Sequence, residues 1–158
     1  MDDLTLAYKT LHILAAIILG GGFVLEALAG PLVARAQTVG EVRAYARMMH
    51  ISETFLSPPA ALILAGFGYA TAGRAEYDFS ALWLTLAQVL FYGIVALAVF
   101  GLRPAAAKLH KLAQAAPDGP VTQELRDQMA SPLPKIIGPI ATVMFIVIVY
   151  LMVWKPGA

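Results

Sequence analysis

The sequence predicts an all-α integral membrane protein, a four-helix up-down transmembrane bundle. Three observations carry this. Four apolar runs are each long enough to cross a bilayer as helix, which takes about 20 residues. Composition excludes a soluble enzyme domain: of 158 residues, 59% are hydrophobic and 13% charged, and mean hydropathy is +0.74. A soluble domain carries about 25% charged residues. The few charges that remain are sorted between the connections.

The elements follow in order within a single domain, 1–158. The first helix is expected over residues 6–33. Its acidic opening, Met1-Asp2-Asp3, and the length of its apolar run argue against a cleavable signal peptide. The second helix is expected over 39–72, with its membrane part from 48, because Thr38-Val39-Gly40-Glu41 has capping-box form. Ser57-Pro58-Pro59 then falls inside the membrane part, where two missing backbone donors predict a kink. The third helix is expected over 80–115, with its membrane part ending at 102. Ala116-Pro117-Asp118-Gly119-Pro120 reads as a turn, and Thr122 to Ala130 as a short surface helix. The fourth helix, 132–154, should bend at Pro139. No internal repeat is evident, and the proline-kinked second helix finds no counterpart in the other half.

Eight of the eleven Lys and Arg residues fall in the connections between helices one and two and between helices three and four. The positive-inside rule makes both connections cytoplasmic and places both termini outside, in a bacterial inner membrane. Tyr8, Tyr77, Trp83, Tyr150 and Trp154 gather near the outer interface, as an aromatic belt would. The partners expected are the lipid bilayer and, through small-residue stripes such as Ala61, Ala65, Gly68 and Ala72, a homodimer or a larger membrane complex. Net charge of +1 with no polybasic patch points away from nucleic acid. The absence of cysteine removes disulfides, thiolate metal sites and a Cys nucleophile. No nucleophile–base pair, nucleotide motif or complete metal signature is present, so enzymatic activity is left open.

Ionisable side chains inside apolar runs are costly, and they face the bundle interior or a cavity. His12, two turns into the first helix, is read either as a helix–helix hydrogen-bonding group or as a ligand of haem iron. From His12 to Val33 the helix descends 21 residues, about 30 Å at ~1.5 Å per residue. His50 sits near that inner end, so the two histidines cannot ligate one haem.

The second cluster lies deeper. His50, Glu53, Thr54 and Ser57 follow i, i+3, i+4, i+7 spacing and form one polar stripe on a regular helix. Glu26 comes to a similar depth, flanked by Gly22 and Gly30 four residues away, a strip that lets another helix approach closely. Glu26, His50 and Glu53 are therefore candidate ligands for a divalent cation or a shared proton. The alternative is that Arg47 or Lys135 neutralises the carboxylates and the cluster fixes packing. His110, between Lys108 and Lys111, reads as part of a solvated helix face.

Lys9-Thr10-Leu11-His12-Ile13-Leu14-Ala15-Ala16 with the following glycines resembles the opening of small predicted integral membrane proteins catalogued as a domain of unknown function. Glu53-Thr54-Phe55-Leu56-Ser57-Pro58-Pro59-Ala60 and the closing Tyr150-Leu151-Met152-Val153-Trp154-Lys155-Pro156 resemble the same family. That family is distantly similar to HemJ-type protoporphyrinogen oxidases and copper-resistance D-type membrane proteins. The resemblance implies four membrane helices and a first-helix histidine, here His12, that holds b-type haem. HemJ-type enzymes have a lysine after a Trp-Leu pair, where this chain has Thr85-Leu86-Ala87-Gln88 after Trp83-Leu84. The leading expectation is thus a haem-binding inner-membrane protein with a redox or haem-handling role. Proton or cation handling at Glu26, His50 and Glu53 is the second expectation, and a non-catalytic accessory subunit the third.

Overall fold

The computed structural model describes residues 2–157. Helix α1, Asp3–Arg35, runs the length of the bundle, with Pro31 accommodated in its last turns. Thr38 caps α2, Val39–Ile51, through the expected reciprocal box with Glu41. A π-helical turn, Ser52–Leu56, joins α2 to α3, Ser57–Arg74. Helix α4, Leu82–Leu97, continues through a second π-helical turn, Ala98–Leu102, into α5, Arg103–Ala115. The short α6, Gln123–Met129, is capped by Thr122, and α7 spans Pro132–Trp154 with Pro139 inside it. Counted as continuous stretches, four helices are long and apolar enough to cross a membrane. The architecture is the expected all-α four-helix membrane bundle.

The two π turns have one cause. A proline supplies no N–H and its ring crowds the carbonyl four residues back, so the hydrogen-bond ladder must slip. Pro58 and Pro59 lie at the start of α3, and Pro104 at the start of α5. In each case the preceding turn widens to let the ladder resume. The proline break in the second long helix therefore does have a counterpart in the third, which the sequence pattern conceals because a single proline marks it.

Packing is concentrated at the ends. Helix α1 lies mainly along α3, α4 along α7, and α2 along α5. At the basic end, Val33, Val39, Val42, Ala46, Leu109, Ala113 and Leu125 form one core. Arg43 closes it, donating to the Ala113 and Ala116 carbonyls at 3.2 and 3.0 Å and pairing with Asp118 at 2.9 Å. A cation on the last carbonyls of α5 satisfies groups that the helix leaves open. At the opposite end Ala72, Trp83, Leu84, Ala87 and Leu151 form a second core. Trp83 is only 2% exposed, so it belongs to this core and not to the interfacial belt expected from the sequence. Tyr77 meets it edge-on at 5.6 Å, and Lys155 lies over both rings. Tyr150 and Trp154, stacked at 5.1 Å and exposed, fit the belt. Between the ends, Ile17, Val24, Leu62, Phe100 and Ile146 stand outward, as a lipid-facing surface requires.

Candidate functional site

Between the two end cores the bundle has two partly open cavities. The first, about 670 Å³, lies towards the basic end among α1, α2, α5, α6 and α7, and is lined by residues including Gly30, Met49, Leu109, Gln128 and Lys135. The second, about 430 Å³, lies among α1, α3, α4 and α7, with Gly22, Ser57, Phe91 and Tyr92 in its wall. Four residues line both: Phe23, Glu26, Glu53 and Leu102. Two of these are the intramembrane carboxylic acids.

Glu26 and Glu53 face one another in the common wall of the two cavities. Glu53 stands in the first π turn and is buried, whereas Glu26 on α1 is half-buried. Close approach of the two elements is set at Gly22, where an added Cβ would meet Ser52 Oγ and Ser57 Oγ, each at 3.4 Å. Gly30, the other half of the expected small-residue strip, has no neighbour within 4 Å of such a Cβ and faces the first cavity. The strip therefore works as a contact at one glycine only. Ser52 Oγ is buried without a hydrogen-bond partner beside the same notch.

The expected polar stripe divides in two. Glu53 and Ser57 turn towards α1 and the second cavity. His50 takes Thr54 at 3.3 Å and stacks on His110 of α5, with ring centroids 4.7 Å apart and planes 10° apart. A regular helix would hold His50 and Glu53 close to one face, but the π turn begins between them and changes the phase. Among the described residues, no three His, Asp or Glu side chains gather as a metal site, so Glu26 and Glu53 stand as a pair without His50. His110 is not on a solvated face. It is half-buried against His50, and its Nδ1 is buried without a partner. Its position seven residues before the turn at Pro117 gave no sequence signal of this, because the partner lies on another helix.

Neither carboxylic acid forms an ion pair among the described residues, although Arg103 lines the second cavity with both of them. The ion pairs among the described residues are Arg43 with Asp118 and Arg74 with Asp2. Lys135 lines the first cavity, yet its ammonium group donates to the Ala130 carbonyl at 3.3 Å. For the packing alternative, which looked to partners such as Arg47 or Lys135, neither of those two pairs with a glutamate.

His12 is held on α3. Its Nδ1 donates to the Leu64 carbonyl at 2.7 Å, and an added Cβ on Gly68 would stand 2.9 Å from the ring. The carbonyl can only accept, so the bond fixes the tautomer and leaves Nε2 as the free lone pair. His12 lines neither cavity. Towards the same end of the bundle, Tyr69 on α3 donates to Gln88 at 3.1 Å and shares a 2.9 Å bond with Tyr92, which lines the second cavity.

No curated protein and no solved structure matches the chain. A family described as "Predicted integral membrane protein (DUF2269)" matches residues 6–156, nearly the full length and all four candidate spans. The chain belongs to this family of integral membrane proteins.

Proposed function

We propose that the protein handles protons in the membrane, with Glu26 and Glu53 sharing one proton where its two cavities meet. The observation that carries this reading is the position of the pair: two carboxylic acids, in no ion pair among the described residues, in the common wall of both cavities. Two carboxyl groups so close in low dielectric are poorly accommodated as two anions, and one proton between them satisfies both. The first cavity supplies a route towards the basic end, which the charge distribution makes cytoplasmic. Ser57, Tyr92, Tyr69 and Gln88 supply polar groups on the other side. Reconstituted in liposomes with an imposed pH gradient, the wild-type protein should dissipate the gradient faster than Glu26→Gln or Glu53→Gln. Equal rates for all three would overturn the reading.

A second reading keeps His12 as a ligand of b-type haem in a redox or haem-handling role. It is favoured by the Nδ1 bond to the Leu64 carbonyl, because a backbone acceptor on one nitrogen orients the other towards a metal. His12 would then hold the iron through Nε2, and haem would supply one-electron chemistry. A Soret band in the purified protein that disappears in His12→Ala would support it. A colourless protein after expression with haem supplied would overturn it.

A further inference from the structure

We infer that Arg103 is the resident counter-ion of the Glu26–Glu53 pair, and that its positive charge is what holds the pair to one shared proton. The inference deepens the proton-handling reading and rests on it.

One device places both Glu53 and Arg103. Glu53 stands in the π turn before Pro58 and Pro59, and Arg103 directly follows the π turn before Pro104. That second turn ends at Leu102, which lines both cavities, and Arg103 continues into the wall of the second. Two proline breaks thus bring opposite charges to one cavity. Arg103 is exposed and in no ion pair among the described residues, so no acidic side chain elsewhere claims its guanidinium.

The other titratable and charged groups around the pair are few. On α7, Lys135 lines the first cavity, but its ammonium group donates to the Ala130 carbonyl. On α4, the Tyr92 hydroxyl is bonded to Tyr69, and a phenol carries no charge at neutral pH. From α6 only the uncharged Gln128 and Met129 reach the first cavity. Arg47, His50 and His110, on α2 and α5, line neither cavity. Among the described residues this leaves Arg103 as the cation that answers both glutamates.

Charge counting then fixes the number of protons. A site in low dielectric is least costly when its net charge is zero. With Arg103 present, one carboxylate, one carboxylic acid and one guanidinium sum to zero. Without it, zero requires both acids to keep their protons. In Glu26→Gln, the Glu53 carboxylate and Arg103 sum to zero with no proton at all. When the shared proton leaves through a cavity, the guanidinium offsets one of the two carboxylate charges. Release and rebinding therefore come within reach near neutral pH.

The test follows the protonated-carboxyl C=O band in infrared spectra of the full chain in detergent micelles as pH is raised. Arg103→Gln should bring the band at neutral pH to about twice the wild-type area. It should also keep the band to a pH about one to three units higher, the range over which an opposite charge acts on a nearby carboxyl group. Arg103→Lys restores the charge and should return both readings towards wild type, and Lys135→Gln should move them far less than Arg103→Gln. Glu26→Gln, which leaves Arg103 in place, should show no band at neutral pH. Adding Arg103→Gln to it should bring one back, a gain that lost packing alone would not produce. A band in Glu26→Gln, no band in that double variant, or equal effects of Arg103→Gln and either lysine-site variant overturns the inference. If the wild-type band depends on the glutamates but is indifferent to Arg103, this inference fails and the proton reading stands. If the wild type has no such band, both fail.

Discussion

His50 and His110 stack face to face across the contact of α2 with α5, and Arg47 is near enough to His110 to act on it electrostatically. A free imidazole gains its proton near pH 6.5. Burial in this contact, and then the His50 and Arg47 neighbours, push the His110 imidazole below its ordinary value, so its protonation opposes the folded contact. Stability of the α2–α5 layer should fall as pH drops through about 6.5. Hydrogen exchange over residues 103–115, compared between neutral and mildly acidic buffer, reads this directly. Replacing His110 with Gln should flatten the dependence, and an equally steep response in that variant would contradict the assignment.

Asp2 at the opposite end behaves with the reverse sign. Thr5, whose hydroxyl and N–H both donate to it, and then Arg74 hold its carboxyl down at about 2, against an ordinary value of 3.8. The folded state therefore binds this proton less tightly than the unfolded chain does. The contribution of this clamp is complete above about pH 4 and is lost as pH falls towards about 2. Because the carboxyl is largely exposed, Asp2→Asn should shift the thermal midpoint only slightly at neutral pH and abolish the acid-end loss.

Gly68 exists for the His12 ring. A Cβ at 2.9 Å from Cε1 and Nδ1 would push the imidazole off the Leu64 carbonyl. Gly68→Ala should cost on the order of 1–3 kcal/mol, the range for losing a buried hydrogen bond with local overpacking. In a His12→Ala background the same substitution should cost much less, since the clashing ring is gone. Additive effects in thermal unfolding of the double variant would show that the two residues do not interact.

Pro58 and Pro59 set the phase that separates Glu53 from His50. With Pro58→Ala and Pro59→Ala together, the ladder can close as a regular α-helix, and the residues before it rotate by about 100° per residue of slip. Glu53 should then leave the Glu26 face, and gradient dissipation should fall to the level of Glu53→Gln even though both glutamates remain. Wild-type dissipation in this variant would mean that the π turn is not what positions the pair.

Much of the fold is legible because a bilayer allows few solutions. Every backbone group must be satisfied within its own helix, so four apolar runs mean four helices. The Thr38 box and the Thr122 cap are local, and both form where the sequence places them. Glu26 and Glu53 are legible as a pair from depth alone. What the spacing hides is phase. A regular 3.6-residue period puts His50 and Glu53 on one stripe, and only the π turn reveals that they face different helices. Trp83 is misplaced for a related reason: its depth suits an interfacial belt, but the helix face it occupies turns inward, against Tyr77 and Leu151. His110 is hidden entirely, since its partner is sixty residues away in the chain.

Infrared spectroscopy of the carboxyl groups tests the shared proton most directly. Every other acidic residue is exposed, so a protonated-carboxyl band at neutral pH would report on Glu26 and Glu53. The wild-type protein should show a protonated-carboxyl C=O band at neutral pH that is absent from the Glu26→Gln, Glu53→Gln double variant. A wild-type spectrum with no such band, or one identical to that of the double variant, would contradict the proposal that this pair holds a proton between the two cavities.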